Sequence, residues 1–146
     1  MTKKEIYEEA ARLLGKVPGF LDTVPEKLLG PRWEEWRIIE MEETAIPAKY
    51  KQLVMLAVST YAKCQYCIEF HTEVAKLFGA TEAEIIETAA LTGHTALWSN
   101  FLQGTRYPVE RFHSEVHDAV EFARKEQKAA AKPAVEKPKP VTAGSR

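Results

Sequence analysis

The sequence lacks both a long apolar run and an excess of charge of either sign. No segment of the 146 residues approaches the roughly twenty apolar residues that cross a membrane. The opening stretch MTKKEIYEEAARLLG has no apolar core of the kind that secretion signals carry. The 20 basic and 21 acidic residues are interspersed, so no basic stripe is present to neutralise phosphates. These absences argue against a membrane span and against a nucleic-acid partner, and they predict a cytoplasmic protein.

Cysteine is also scarce, with two residues in the whole chain. Two cysteines do not build a disulfide framework, and a chain of 146 residues buries enough apolar surface to fold as one domain without cross-links. Surface thiols normally stay reduced in a reducing cytosol. The information therefore lies in the spacing of Cys64 and Cys67.

Strand patterns are missing as well, because no run of strictly alternating apolar and polar residues is bounded by turn signals. Helical periodicity dominates, so the predicted class is all-α, a compact multi-helix domain with the cysteine pair at the start of a central helix. Glycine, proline and capping residues set the predicted boundaries. The predicted helices cover residues 3–14, segments opened by Pro31 and by Pro47, and residues 64–78, 81–93, 94–102 and 109–128.

The C-terminal end differs in composition from the helical part. The segment KAAAKPAVEKPKPVTAGSR is rich in Ala, Lys and Pro and has almost no large apolar residue, so burial cannot offset the entropy of ordering it. The predicted organisation is one helical domain over residues 1–128 and a flexible tail over residues 129–146.

A CxxCxxxH unit, formed by Cys64, Cys67 and His71, is the candidate for chemistry. On one helix these side chains fall within an arc of about 60°, because offsets of three and four residues share a face. A thiol reacts as its thiolate, and its pKa falls beside a base or at a helix N-terminus. A second cysteine three residues away can resolve an oxidised sulfur into a disulfide. The unit therefore fits a reversible dithiol.

The same spacing has other interpretations. A structural zinc site needs four ligands, and the fourth would have to come from His94, His113 or His117 at no recognisable spacing. Covalent haem attachment needs a histidine directly after the second cysteine, and a four-cysteine iron–sulfur cluster lacks ligands. Two buried core cysteines beside a satisfied core histidine are the plain structural alternative.

A longer stretch around this unit, QLVMLAVSTYAKCQYCIEFHTEVAKLFGATEAEIIETAAL, resembles the core of the alkylhydroperoxidase D-like, or carboxymuconolactone decarboxylase, family. The resemblance implies an all-α fold that assembles into trimers, hexamers or related homo-oligomers. It also implies a thiol-dependent peroxidase or disulfide reductase activity. Matched by position, Cys67 corresponds to the cysteine that attacks peroxide, Cys64 to the cysteine that closes the disulfide, and His71 to the histidine of the proton relay.

Gln52 departs from the family pattern. Members typically place a glutamate twelve residues before the first cysteine, and Gln52 occupies that position here. An amide can orient a water or an imidazole, but it cannot accept a proton as a carboxylate does. The departure weakens the case for efficient peroxidase chemistry and leaves dithiol exchange possible. Glu69 and Glu73 are near in sequence but point off the cysteine face, so we expect them to be solvated.

The predicted function is a thiol-dependent oxidoreductase that cycles its cysteine pair between dithiol and disulfide with assistance from His71 and Gln52. Its substrate would be a hydroperoxide or a disulfide, and its electron donor a dithiol protein or a small dithiol. No bound cofactor or metal is needed for this chemistry. The alternative is a non-catalytic helical oligomer or a redox-sensing interaction module, in which Gln52 marks a degenerate proton relay.

Overall fold

The computed structural model describes residues 1–130, which form helices and connecting turns without a strand among them. This confirms the all-α class. Within the described residues the α-helices are α1 (Lys3–Leu14), α2 (Glu26–Trp36), α3 (Ala48–Ala62), α4 (Gln65–Leu77), α5 (Glu82–Gly104) and α6 (Val109–Ala130). A 3-10 turn covers Gly19–Thr23, and a π-helical segment covers Arg37–Met41. No described helix has the length and apolar character needed to traverse a bilayer.

The residues divide into two units, Met1–Ser99 and Asn100–Arg146, with only residues 100–130 of the second described. Residues 131–146, which make up most of the tail predicted over residues 129–146, lie outside the described residues. The two residues before them, 129 and 130, end α6. The division into one domain over residues 1–128 and a tail therefore stays a prediction.

The N-terminal part of the first unit has a small apolar core. Helix α1 starts at a capping box, in which Thr2 and Glu5 bond each other's backbone N–H groups, and it ends at Gly15 in the left-handed conformation with φ 73°. The buried core residues are Ile6, Ala10, Leu21, Leu29 and Trp33. Trp33 also donates its indole N–H to Glu9 over 2.7 Å, so this core is fixed by a polar contact as well as by packing.

Helix α2 corrects the prediction that Pro31 opens a helix. It begins five residues earlier, at Glu26, and the carbonyl of Pro25 accepts the N–H groups of Leu28 and Leu29 at 2.8 and 3.1 Å. Pro31 therefore lies inside α2, where its ring φ suits a helix and only one backbone hydrogen bond is lost.

The end of α2 widens into the π-helical segment Arg37–Met41, a feature that the sequence did not predict. Lys51 of α3, which is 8% exposed, donates its ammonium to the carbonyl oxygens of Ile39 and Glu42 at 3.1 and 2.7 Å. These bonds satisfy carbonyls that the widened turn leaves open. The segment is thereby tied to α3 at residues 39 to 42.

Helices α3 and α4 pack more extensively against each other than any other pair of described elements. Lys63, at φ 56°, ends α3, and Cys64 then donates its backbone N–H to the carbonyl of Ser59 over 3.1 Å. The predicted start of α3 after Pro47 and the predicted helix after the first cysteine are confirmed. The short connection brings the first turn of α4 back onto the end of α3.

Helix α5 corrects a second boundary. Its predicted start is confirmed, because Thr81 and Glu84 form a capping box with distances of 2.8 and 3.2 Å. The predicted break at Gly93 and new start at His94 are wrong, since one helix runs from Glu82 to Gly104. A glycine inside a helix costs about 1 kcal/mol relative to alanine, and the alanines and leucines on both sides, at residues 89–91 and 96–97, favour the continuous helix.

Candidate active site

Cys64 and Cys67 lie at the N-terminus of α4 and are joined by a disulfide, with their Cα atoms 5.4 Å apart. Cys64 is the N-cap residue, and its sulfur accepts the backbone N–H of Cys67 over 3.3 Å. The free N–H groups and the dipole of a helix start stabilise negative charge at this position. The fold therefore places the sulfur pair where a thiolate is favoured.

His71 follows Cys67 by one helical turn and is 9% exposed. Its Nδ1 atom lies 2.8 Å from Oε1 of Gln52, which is completely buried on α3. The ring of Phe70 meets the imidazole edge-on, with centroids 5.2 Å apart. The structure therefore brings together all four residues that the sequence singled out, two at the start of α4, one a turn later and one on the neighbouring helix.

A carboxylate from a third element completes this cluster. Glu40, in the π-helical segment, accepts the Nε2 amide of Gln52 at 2.9 Å, and the same carboxylate oxygen lies 3.8 Å from Nδ1 of His71. Its side chain is 12% exposed. The family pattern has a carboxyl group at position 52, where this chain has an amide. A carboxyl group is thus present one contact away, on Glu40.

Burial lowers the pKa of His71 below its ordinary value, and the negative charge of Glu40 opposes this shift without reversing it. The imidazole is therefore neutral at neutral pH. A neutral imidazole can accept a proton from a thiol, so His71 is suited to be a base.

An apolar groove of about 780 Å³ opens beside the disulfide. Cys67, His71 and Glu40 lie in its wall, and Arg32 is the further charged residue that lines it. Trp33 and Trp36 stack at 4.9 Å between ring centroids. The aromatic side chains lining the groove are Phe20, Trp33, Trp36, Tyr66 and Phe70. A cleft of this size and lining suits an apolar ligand.

The model of the carboxymuconolactone decarboxylase family matches residues 29–110, more than half of the chain. The chain belongs to this family. The match includes all five residues of the polar and sulfur cluster, from Glu40 to His71.

The fold agrees with that of a solved structure. The solved structure of the alkylhydroperoxidase AhpD core from Rhodospirillum rubrum ATCC 11170 is similar to this chain, with a TM-score of 0.66 and 27% identity. The similarity covers 75% of this chain and 84% of that one. The comparison with curated proteins found no significant match. The expected AhpD-like helical fold is confirmed.

The other residues considered from the sequence are exposed in the described part of the chain. Glu69 and Glu73 are exposed, as predicted, and Glu73 pairs with Lys76 over 3.0 Å. His94 is exposed and contacts the ring of Trp98 edge-on at 6.3 Å between centroids. His113 and His117 are exposed on α6. Among residues 1–130, no three His, Cys, Asp or Glu side chains are grouped as metal ligands would be.

Glu40 is the site residue that sequence reasoning missed. Its position depends on the π-helical segment and on the packing of that segment against α3, and neither has a local sequence pattern. The one sequence feature that could have indicated such a partner is Gln52. A buried amide that offers its oxygen to a histidine has an NH₂ group left to satisfy, and that group needs an acceptor from elsewhere in the fold.

Proposed function

We propose that this chain is a thiol-dependent oxidoreductase that reduces a hydroperoxide or a disulfide by oxidising Cys64 and Cys67. The observation that supports this most is the disulfide at the start of α4, with a buried neutral histidine one turn beyond it. The helix N-terminus stabilises the thiolate, and the imidazole accepts the proton that the thiol loses. A decarboxylase activity is not proposed, because the cluster is built around two sulfurs.

With a hydroperoxide, Cys67 first gives its proton to His71. The Cys67 thiolate then attacks the outer oxygen of the peroxide, the O–O bond breaks, and the alkoxide takes the proton from the imidazolium to leave as an alcohol. Cys67 is now a sulfenic acid. The thiol of Cys64 attacks this sulfur, the S–S bond forms, and water leaves with the oxygen of the sulfenic acid and the proton of Cys64. The two electrons that reduce the peroxide come from the two thiols.

The disulfide must then return to a dithiol. An external dithiol attacks one sulfur, forms a mixed disulfide, and leaves as its own disulfide when its second thiol reacts. With a disulfide substrate the same exchange runs in the opposite direction. Either half-reaction requires access to the sulfur pair, and Cys67 lies in the wall of the open groove.

The lining of the groove favours binding of an apolar substrate and not of hydrogen peroxide. Its walls are aromatic and aliphatic, and burial of an organic side chain there gains about 25 cal/mol for each Å² removed from water. The similar protein from Rhodospirillum rubrum is named an alkylhydroperoxidase. We therefore propose an organic hydroperoxide as the oxidant.

The proposal also includes a homo-oligomer in a reducing cytoplasm, where dithiol donors are abundant. Three apolar side chains of α3, Val54, Val58 and Tyr61, are more than half exposed in the single chain. Such side chains commonly mark contact surfaces. The mass of the particle in solution, measured by light scattering, tests this part independently of activity.

Turnover by wild-type and variant chains tests the function. With cumene hydroperoxide and dithiothreitol, we expect Cys67→Ser to lose at least 100-fold in rate. Cys64→Ser should oxidise once and leave a sulfenic acid that dimedone traps, because no partner resolves it. His113→Ala on exposed α6 is the control and should match wild type. Full activity in Cys67→Ser would contradict the proposal, and oxidation without turnover in wild type would favour a redox-sensing module.

A further inference from the structure

Three polar side chains from three different elements are joined in series by hydrogen bonds, the buried Gln52 and His71 and Glu40, whose side chain is 12% exposed. Gln52 joins the other two, because its Nε2 lies 2.9 Å from the carboxylate of Glu40 and its Oε1 lies 2.8 Å from Nδ1 of His71. Among the described residues, no buried side-chain nitrogen or oxygen is left without a partner. Both ends of the amide are therefore in use.

Hydrogen-bond chemistry gives this series a direction. A carboxylate only accepts, so the NH₂ end of Gln52 must face Glu40 and the amide oxygen must face His71. The amide oxygen also only accepts, so Nδ1 of His71 must carry the hydrogen and donate it. The reversed amide would set its oxygen against the carboxylate, which places two acceptors together. Nε2 of His71 is therefore left with its lone pair.

We propose that Glu40 is a positioning residue that acts through Gln52 to hold His71 as the Nδ1–H tautomer, with Nε2 free to accept the proton of Cys67. When that proton moves, the thiol becomes a thiolate and the imidazole becomes an imidazolium. The charge of Glu40, 3.8 Å from Nδ1, then stabilises the imidazolium. This inference rests on the proposed function, because it assigns a role in activating the same cysteine.

An amide between the carboxylate and the histidine has a different effect from a direct ion pair. A carboxylate bonded directly to Nδ1 would favour the charged imidazole at rest. Here the neutral amide takes that place, and the pKa of His71 is lowered because burial outweighs the charge of Glu40. The resting histidine is thus a ready base, while the carboxylate is still near enough to stabilise the charge that forms.

Glu40 is held in place by more than this one bond. Lys51 fixes the carbonyls on either side of it, those of Ile39 and Glu42, and Nε2 of Gln52 also approaches the carbonyl of Glu40 at 3.5 Å. The carboxylate sits on a π-helical turn, a feature that is frequent at functional sites. The position of Glu40 is therefore specified by the fold.

The ionisable groups around His71 and its neighbour Glu40 come from four elements. Glu40 belongs to the π-helical segment, Lys51 to α3 and Cys67 to α4, and Arg32 of α2 lines the same groove. Lys51 is committed to backbone carbonyls, and Arg32 pairs with Glu35 over 2.7 Å. Glu40 is thus the charged group with a direct ion-pair distance to the imidazole.

The test uses the full-length chain in a Cys64→Ser background, so that Cys67 is the one thiol measured. The first readout is the pH dependence of Cys67 alkylation by iodoacetamide. The second is the nitrogen NMR shift of His71, which distinguishes the two tautomers. In Glu40→Gln we expect a mixture of tautomers and an alkylation rate at pH 7 about tenfold lower. Glu43→Gln, an exposed neighbour, is the matched control and should change neither readout.

A second variant separates positioning from folding. The double variant Glu40→Gln/Gln52→Glu keeps one amide and one carboxyl group beside His71, but it places the carboxylate directly against Nδ1 of that histidine. We expect the pKa of His71 to rise above its wild-type value, with a matching shift of the alkylation profile. Wild-type NMR shifts and an unchanged profile in both variants would overturn the inference. Neither readout requires turnover, so an inactive wild type would sink the proposed function without affecting this result.

Discussion

Two polar clusters in this chain have similar hydrogen-bond lengths and opposite surroundings. In the first unit, Gln52 donates to Glu40 over 2.9 Å among side chains that are almost wholly buried. On α6, Arg111 donates to Glu115 over 2.7 Å, and these side chains are 67% and 47% exposed. Water can replace either partner on α6, whereas nothing replaces a missing partner in the interior. Environment, and not bond length, therefore decides what each cluster contributes to stability.

The largest effect on stability is expected from replacing Gln52, the central residue of the buried cluster. Gln52→Leu leaves the carboxylate of Glu40 and Nδ1 of His71 buried without their partner, which should lower the free energy of unfolding by about 3 kcal/mol. Urea unfolding followed by circular dichroism measures this. Gln103→Leu, at an exposed position of α5, makes the same chemical change and should cost less than about 0.5 kcal/mol. Equal costs in the two variants would break the comparison.

A smaller effect is expected from pH. The pKa of His71 is lowered in the folded chain, so the unfolded chain binds more protons between its ordinary value of 6.5 and the folded value. Stability should therefore fall as pH decreases below 6.5. Glu84, whose pKa is lowered to about 2 mainly by Lys49, loses its contribution only below about 4.5, so the range from pH 7 to 5 isolates the histidine. His71→Gln should flatten the profile there, and an unflattened profile would assign the effect to another group.

The smallest effect is expected from the surface pair. Glu115→Gln removes the ion pair with Arg111, and exposed pairs of this kind contribute little to stability, so the urea midpoint should stay close to that of wild type. Raising the salt concentration should reduce even that difference, because exposed charges are screened. A loss of stability as large as that of Gln52→Leu, measured by the same urea titration, would show that α6 depends on its surface charges as strongly as the first unit depends on its buried polar groups.

Local patterns were sufficient to predict most helices and the sulfur-bearing face. The offsets from Cys64 to His71 follow directly from helical geometry, and the capping box at Thr81 depends on two residues of one turn. The boundaries predicted at Pro31 and Gly93 were wrong. Each residue usually marks one end of a helix, but a helix can also contain it at a modest cost in free energy. Predicted helix boundaries were therefore wrong where the helical preference of the neighbouring turns exceeded the penalty of a single residue.

The resemblance to the family identified Gln52, and local sequence could not identify Glu40. Its carboxylate reaches the site because a π-helical segment packs on α3 and Lys51 fixes that packing. Such a contact depends on the assembled fold. The same holds for the apolar groove, whose walls come from α1, the 3-10 turn, α2, the π-helical segment and α4.

The central claim, that Cys64 and Cys67 form a working dithiol, is tested most directly by counting free thiols. One equivalent of cumene hydroperoxide is added to the fully reduced chain, and the remaining thiols are titrated. We predict the loss of both thiols, a disulfide within one chain by mass spectrometry, and the return of both thiols on addition of dithiothreitol. Two thiols that stay titratable after prolonged exposure to excess hydroperoxide would contradict the claim.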